Sequence, residues 1–121
     1  MPAKTHWLEE PNILNIQYSG QVSVDDMRHI IAVCVIALVK GPVHFLVDFS
    51  EVTSFDPHII ELSSLSEWLY HPNARWFAYV RLTGLYKNLL QTRHQNNIKF
   101  FKEREEAEAF LREAVQVIPN N

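Results

Sequence analysis

Cysteine, glycine and long apolar runs are all scarce in this chain. A single cysteine, Cys34, excludes an internal disulfide and any metal site built on several thiolates, and its place inside the apolar run 30–39 reads as a small buried hydrophobe. The three glycines, Gly20, Gly41 and Gly84, stand apart at expected element boundaries and form no G-x-G-x-x-G or G-x-x-x-x-G-K loop. Dinucleotide and nucleoside triphosphate chemistry therefore has no phosphate cradle. A G-x-S-x-G elbow is missing, and Cys34 falls in mid-helix, so nucleophilic hydrolysis lacks its central residue. The run 30–39 is about half of what a membrane-spanning helix requires. No apolar stretch follows Met1-Pro2-Ala3-Lys4, so no signal peptide is expected. These absences predict a cytoplasmic domain with no cofactor, no metal, no membrane span and no catalysis.

What is present suits one core. A chain of 121 residues, 47% hydrophobic and 21% charged, is expected to form a single domain and to bury roughly two-thirds of the surface its unfolded form exposes. The net charge of −3 hides an uneven distribution. Residues 81–104 carry Arg81, Lys87, Arg93, Lys99, Lys102 and Arg104 against Glu103 alone, whereas acidic residues outnumber basic ones on both sides of that segment. Such a run is a surface for an acidic partner or a phosphate, or simply a solvated helix and edge strand. Aromatics do not interleave with it on a regular face, so nucleic acid is not an expected partner.

Strands and helices alternate along the chain. Two short strands, 7–10 and 13–19, flank Pro11-Asn12 and read as a hairpin. Ser23 is placed to cap a helix over 24–40, with Asp25 and Asp26 in its first turn and Gly41-Pro42 at its end. A third strand is expected over 43–49, a second helix over 57–70, a fourth strand over 75–82, a third helix over 85–96, a fifth strand over 98–102 and a last helix over 103–116. That order predicts an α/β fold: a five-stranded mixed sheet with the N-terminal hairpin strand at one edge and four helices packed mainly on one face.

The junction between the third strand and the second helix is the candidate site. Ligands and partners of such sheets meet the carboxyl ends of strands and the N-termini of the helices that follow. Asp48, Ser50, Ser54, Asp56 and His58 fall there and are expected to form a partner-binding surface. His58 and Glu61 are three apart beside Asp56, but no second histidine shares that face, so Asp56 reads as a helix cap rather than a metal ligand. An acid–base pair of Asp56 and His58 ranks last, because neither a nucleophile nor a cofactor motif accompanies it. The helix over 24–40 adds Val33, Val35, Ile36 and Val39 to a stripe already complete with Met27, Ile30, Ile31, Cys34 and Leu38, and the fourth strand carries Trp76, Phe77 and Tyr79. Those surpluses are either sandwiched within the domain's own fold or form a homodimer interface or a pocket for a small apolar, lipid-like ligand.

Three segments carry a family resemblance. YSGQVSVDDM resembles the G-x-(hydrophobic)-T/S opening of the STAS-like family, the fold of bacterial anti-sigma factor antagonists. FLVDFSEVTSFDPHIIEL is similar to its strand, D-x-S loop and D-S-S-G helix start, matching at Asp48, Val52 and Asp56, and FFKEREEAEAFL resembles its closing strand and helix. The resemblance spans about residues 8–115 and implies a STAS-like domain with a regulatory role exercised through a protein partner. It breaks at one point: where the antagonists carry a phosphoacceptor serine, this chain has Pro57 and His58, and Ile59 stands for the glycine. Ser50, Thr53 and Ser54 are the hydroxyls left in the loop.

Overall fold

Period-two alternation over residues 13–18 sends Leu14, Ile16 and Tyr18 to one side of a strand and Ile13 and Asn15 to the other, and both sides are buried. A computed structural model describes residues 3–58, 70–91 and 97–116. Its elements in chain order are β1 (Ala3–Glu9), β2 (Ile13–Val22), α1 (Val24–Lys40), β3 (Val43–Phe55), β4 (Ala74–Val80), α2 (Gly84–Gln91), β5 (Ile98–Phe101) and α3 (Arg104–Gln116). One mixed sheet has the order β1-β2-β3-β4-β5. β1 pairs antiparallel with β2 at the edge, and the other neighbours are parallel, as expected from the alternation of strands and helices.

The ends of α1 match their sequence signals. Ser23 accepts from the Asp26 backbone N–H at 3.1 Å while the Asp26 carboxylate accepts from the Ser23 N–H at 3.2 Å, a reciprocal capping box. Three helices lie among the described residues. The remainder of the helix expected over 57–70 falls on residues 59–69, outside those described, as do the last turns expected for the helix over 85–96.

Helix placement differs from expectation in one respect. α1 and α2 lie on the same face, where Met27, Ile30, Cys34, Leu38 and Leu90 cover Leu14, Ile16, Phe45, Val47, Phe77 and Tyr79. This follows from right-handed crossovers between successive parallel strands in spatial order. α3 connects no further strand, so that rule does not bind it; it returns under the opposite face, where Ala107 and Leu111 cover Ile13, Leu46, Ala78 and Val80. The sheet is therefore covered on both sides. Trp76, Phe77 and Tyr79 are no open aromatic patch: Phe77 and Tyr79 are buried under α1's side, and half-buried Trp76 packs edge-on against Phe110 of α3 at 4.9 Å. The fourth-strand surplus is packed within the fold.

One irregularity in the sheet is closed by a side chain. Between Val43↔Ala74 and Phe45↔Phe77, β4 carries one more residue than β3, and the Trp76 N–H donates to His44 Nδ1 at 3.1 Å. Accepting requires a neutral Nδ1. Burial and the nearby Arg75 charge hold the His44 pKa below its ordinary 6.5, with Glu9 opposing them. Because the unfolded chain then binds the extra proton more readily, stability contributed by His44 is complete above about pH 6.5 and falls as the pH drops through the folded pKa. Urea midpoints between about pH 7.5 and about pH 5 are expected to decline more steeply for the wild type than for His44→Gln. Parallel pH profiles would show that the His44 contact does not titrate with folding.

Candidate functional site

The segment after Asp48 is strand rather than loop. β3 runs on to Phe55, beyond its last partner on β4 at Asp48↔Val80, and its tip pairs with β2 through Ser19↔Glu51, Gly20↔Val52, Gln21↔Ser54 and Val22↔Phe55. Gly20 sits at φ 62°, a left-handed conformation suited to glycine, beside one of the two register shifts in this ribbon. The ribbon closes where the Asp56 N–H donates to the Val22 carbonyl at 2.9 Å.

Asp48 sits beneath the surface at the base of this ribbon, 3% exposed. Between Gln17↔Asp48 and Ser19↔Glu51, Phe49 and Ser50 stand opposite Tyr18 alone, a bulge that takes the Ser50 N–H out of the ladder. Asp48 Oδ1 accepts that N–H at 2.8 Å and the Ser50 hydroxyl as well. Its Oδ2 takes Arg104 Nη1 at 2.9 Å, and Arg104 Nη2 donates to the fully buried Asn15 at 2.6 Å. Arg104 Nε donates to Glu108 at 2.8 Å, one turn further along α3. Asp48 thus fixes the ribbon to α3, and a partner meets it only through the residues it holds.

The other four predicted residues lie nearer the surface. Ser50, Ser54 and His58 are exposed and Asp56 is half-buried. Asp56 Oδ1 accepts both the His58 N–H and His58 Nδ1 at 2.9 Å, the capping role expected of it, and these bonds hold its carboxyl below the usual carboxylate range. Among the described residues no group of three histidine, cysteine, aspartate or glutamate side chains is arranged to hold a metal ion. Glu61, three residues beyond His58, lies outside the described residues. Beside the ribbon, a cleft of about 170 Å³ is lined by Phe49, Val52, Ser54, Phe55, Arg81 and Thr83 among others, so the carboxyl ends of β3 and β4 meet at the same place as the candidate surface.

Arg104 and Asn15 were absent from the predicted site. By sequence Arg104 belongs to the basic segment 81–104, whose described members disperse in the structure. Arg81 donates to the Lys102 carbonyl at 2.9 Å and approaches Glu103 at 3.5 Å. Lys87 lies over Phe100, whereas Lys99 lies over Phe101 and Phe110 beneath the opposite face. Arg93 is outside the described residues. The described members form no continuous surface of one sign.

Family models give no match to this chain, and neither do curated proteins. Solved structures do. The anti-sigma factor antagonist SpoIIAA in its unphosphorylated form aligns with a TM-score of 0.61 at 13% identity, over 96% of this chain and 99% of that one. The phosphorylated form of SpoIIAA, a Bacillus cell fate determinant, gives 0.67 at 13% identity, over 90% and 98%. An uncharacterised Shewanella loihica protein with a SpoIIAA-like fold gives 0.63 at 14% identity, over 90% and 91%. The chain has the STAS-like α/β fold, as its sequence resemblance implied. No helix among the described residues is long and apolar enough to cross a membrane.

Proposed function

We propose that this protein is a non-catalytic regulatory module of the cytoplasm that works by binding another protein through the β2–β3 ribbon tip and the turn at 56–58. One observation carries the reading: Asp48, clamped by Arg104, fixes Ser50 at the base of a ribbon whose exposed Ser54 lines a cleft at the strand ends, with exposed His58 in the turn that follows. Strand ends of this kind are the usual meeting place of α/β sheets with their partners. The likeness to anti-sigma factor antagonists supports a regulatory setting. Pro57 and His58 offer no serine to a kinase, so binding here is not switched by phosphate at 56–58.

The test is quantitative affinity purification from the native host with the full chain as bait. A Ser54→Arg/His58→Glu variant is expected to lose, by tenfold or more on the order of a disrupted hot spot, a protein retained by wild type and by Arg112→Ala on α3. Equal recovery by all three baits would move the partner surface elsewhere. Incubation with an anti-sigma kinase is expected to leave residues 56–58 unmodified. Stoichiometric phosphate mapped on Ser54 would instead make the ribbon tip a displaced switch.

A further inference from the structure

The inner face of α1 is spent on the core, and its outer face carries a second apolar stripe. Met27, Ile30, Cys34, Ala37 and Leu38 are buried. Half a turn away, Ala32, Ile36 and Val39 recur at four- and three-residue spacing and lie in solvent, Ile36 at 61% and Val39 at 72% exposure, with half-buried Val35 at their margin. Single exposed apolar residues need no explanation; a stripe along one helix does. Its ends carry opposite charges. Exposed Asp25 lies at the N-terminal end of this face and exposed Lys40 at its C-terminal end.

We propose that a second copy of this chain covers the stripe, the two α1 helices crossing antiparallel about a two-fold axis close to Ala32. Charge selects this occupant and this direction. Antiparallel pairing brings Asp25 of each copy to Lys40 of the other, so one attraction is made twice, whereas parallel pairing would set aspartate against aspartate and lysine against lysine. Ile36 then meets the aliphatic stem of Arg28 and the ring of His29 from the second copy. Ala32 meets its own counterpart at the axis, where its small side chain lets the helices come within about 8–10 Å. One helix pair is expected to cover less than the roughly 800 Å² per partner of a standard interface, so association is sought across micromolar concentrations.

Sedimentation of the full chain across about 1–200 μM tests this. The mass is expected to rise from one chain to two. Ile36→Glu should hold it at one chain with an unchanged circular dichroism spectrum, since the side chain is exposed in the monomer. Asp25→Lys and Lys40→Asp should each weaken association by about tenfold, and the combined Asp25→Lys/Lys40→Asp variant should recover to within about threefold of wild type. That rescue is specific to antiparallel self-pairing. A one-chain mass at every concentration overturns the proposal, as does a dimer that survives Ile36→Glu or single charge changes that the double variant fails to rescue. A monomer that yields extractable lipid or pellets with phosphatidylcholine vesicles assigns the stripe to an apolar ligand and overturns it too. Ribbon-tip binding is not touched by any of these outcomes, because the helix variants leave residues 50–58 intact.

Discussion

Arg104→Met is expected to lower the stability of this protein by about 3 kcal/mol, the low end for breaking a buried ion pair, since the Arg104 side chain is 29% exposed while that of Asp48 is 4% exposed. The loss comes from what stays behind. Asp48 keeps only the donors of Ser50 and retains a full charge beneath the surface, and the buried Asn15 carbonyl loses a 2.6 Å bond. Lysine is a poor substitute, because one ammonium cannot reproduce the two diverging guanidinium nitrogens that reach Asp48 and Asn15. Adding Asp48→Asn to Arg104→Met should return about 1–2 kcal/mol, as asparagine still accepts the Ser50 N–H and leaves no unpaired charge. Urea midpoints at unchanged slope measure both quantities. A loss under about 0.5 kcal/mol for Arg104→Met would mean that this pair behaves like an ordinary surface salt bridge.

Sequence signals that act locally translated well into structure here. Ser23, Asp25, Asp26 and Gly41 marked both ends of α1, and alternation over 13–18 placed the faces of β2. Signals that depend on distant pairing did not. Residues 50–55 are mostly polar and read as a loop; they are strand because β2 continues past Gly20 and supplies the other half of a ribbon. The clamp joins Asp48 to Arg104 across 56 positions and Asn15 to Arg104 across 89, and no periodicity connects residues so far apart. Arg104 was legible only as one of six basic residues, which is a property of composition and not of position. From sequence the aromatic excess of β4 leaves an uncovered face open as a reading, because nothing local to β4 says that α3 returns beneath the sheet. By contrast, spacing on α1 sets Ile36 and Val39 apart from the buried stripe, since the helix's own period decides which residues share a face, although Val33 and Val35, grouped with them by sequence, are half-buried.

Phe77→Ala is expected to cost about 3–5 kcal/mol, the range for emptying a fully buried aromatic site. Phe77 is 0% exposed and stacks on Phe45 at 5.0 Å with ring planes 7° apart. It also joins a run of rings on the α1 face that continues through Tyr79 to Phe49 at 6.1 Å and Phe100 at 5.8 Å. Tyr79→Asp lies in the same run at 3% exposure and is expected to prevent folding, because it sets a carboxylate where a ring was buried. The neighbouring position gives the sharper comparison. Trp76 points to the opposite face, is half-buried, and meets Phe110 edge-on, so Trp76→Ala should cost less than Phe77→Ala despite removing the larger ring. Arg75, exposed at the start of the strand, should tolerate alanine within about 0.5 kcal/mol. A sheet register shifted by one residue would exchange the environments of 76 and 77 and reverse their order. Denaturation of the three variants therefore tests the side-chain facing of β4 directly, and a larger loss at Trp76 than at Phe77 would refute the pairing of Phe45 with Phe77 on which the α1-side core rests.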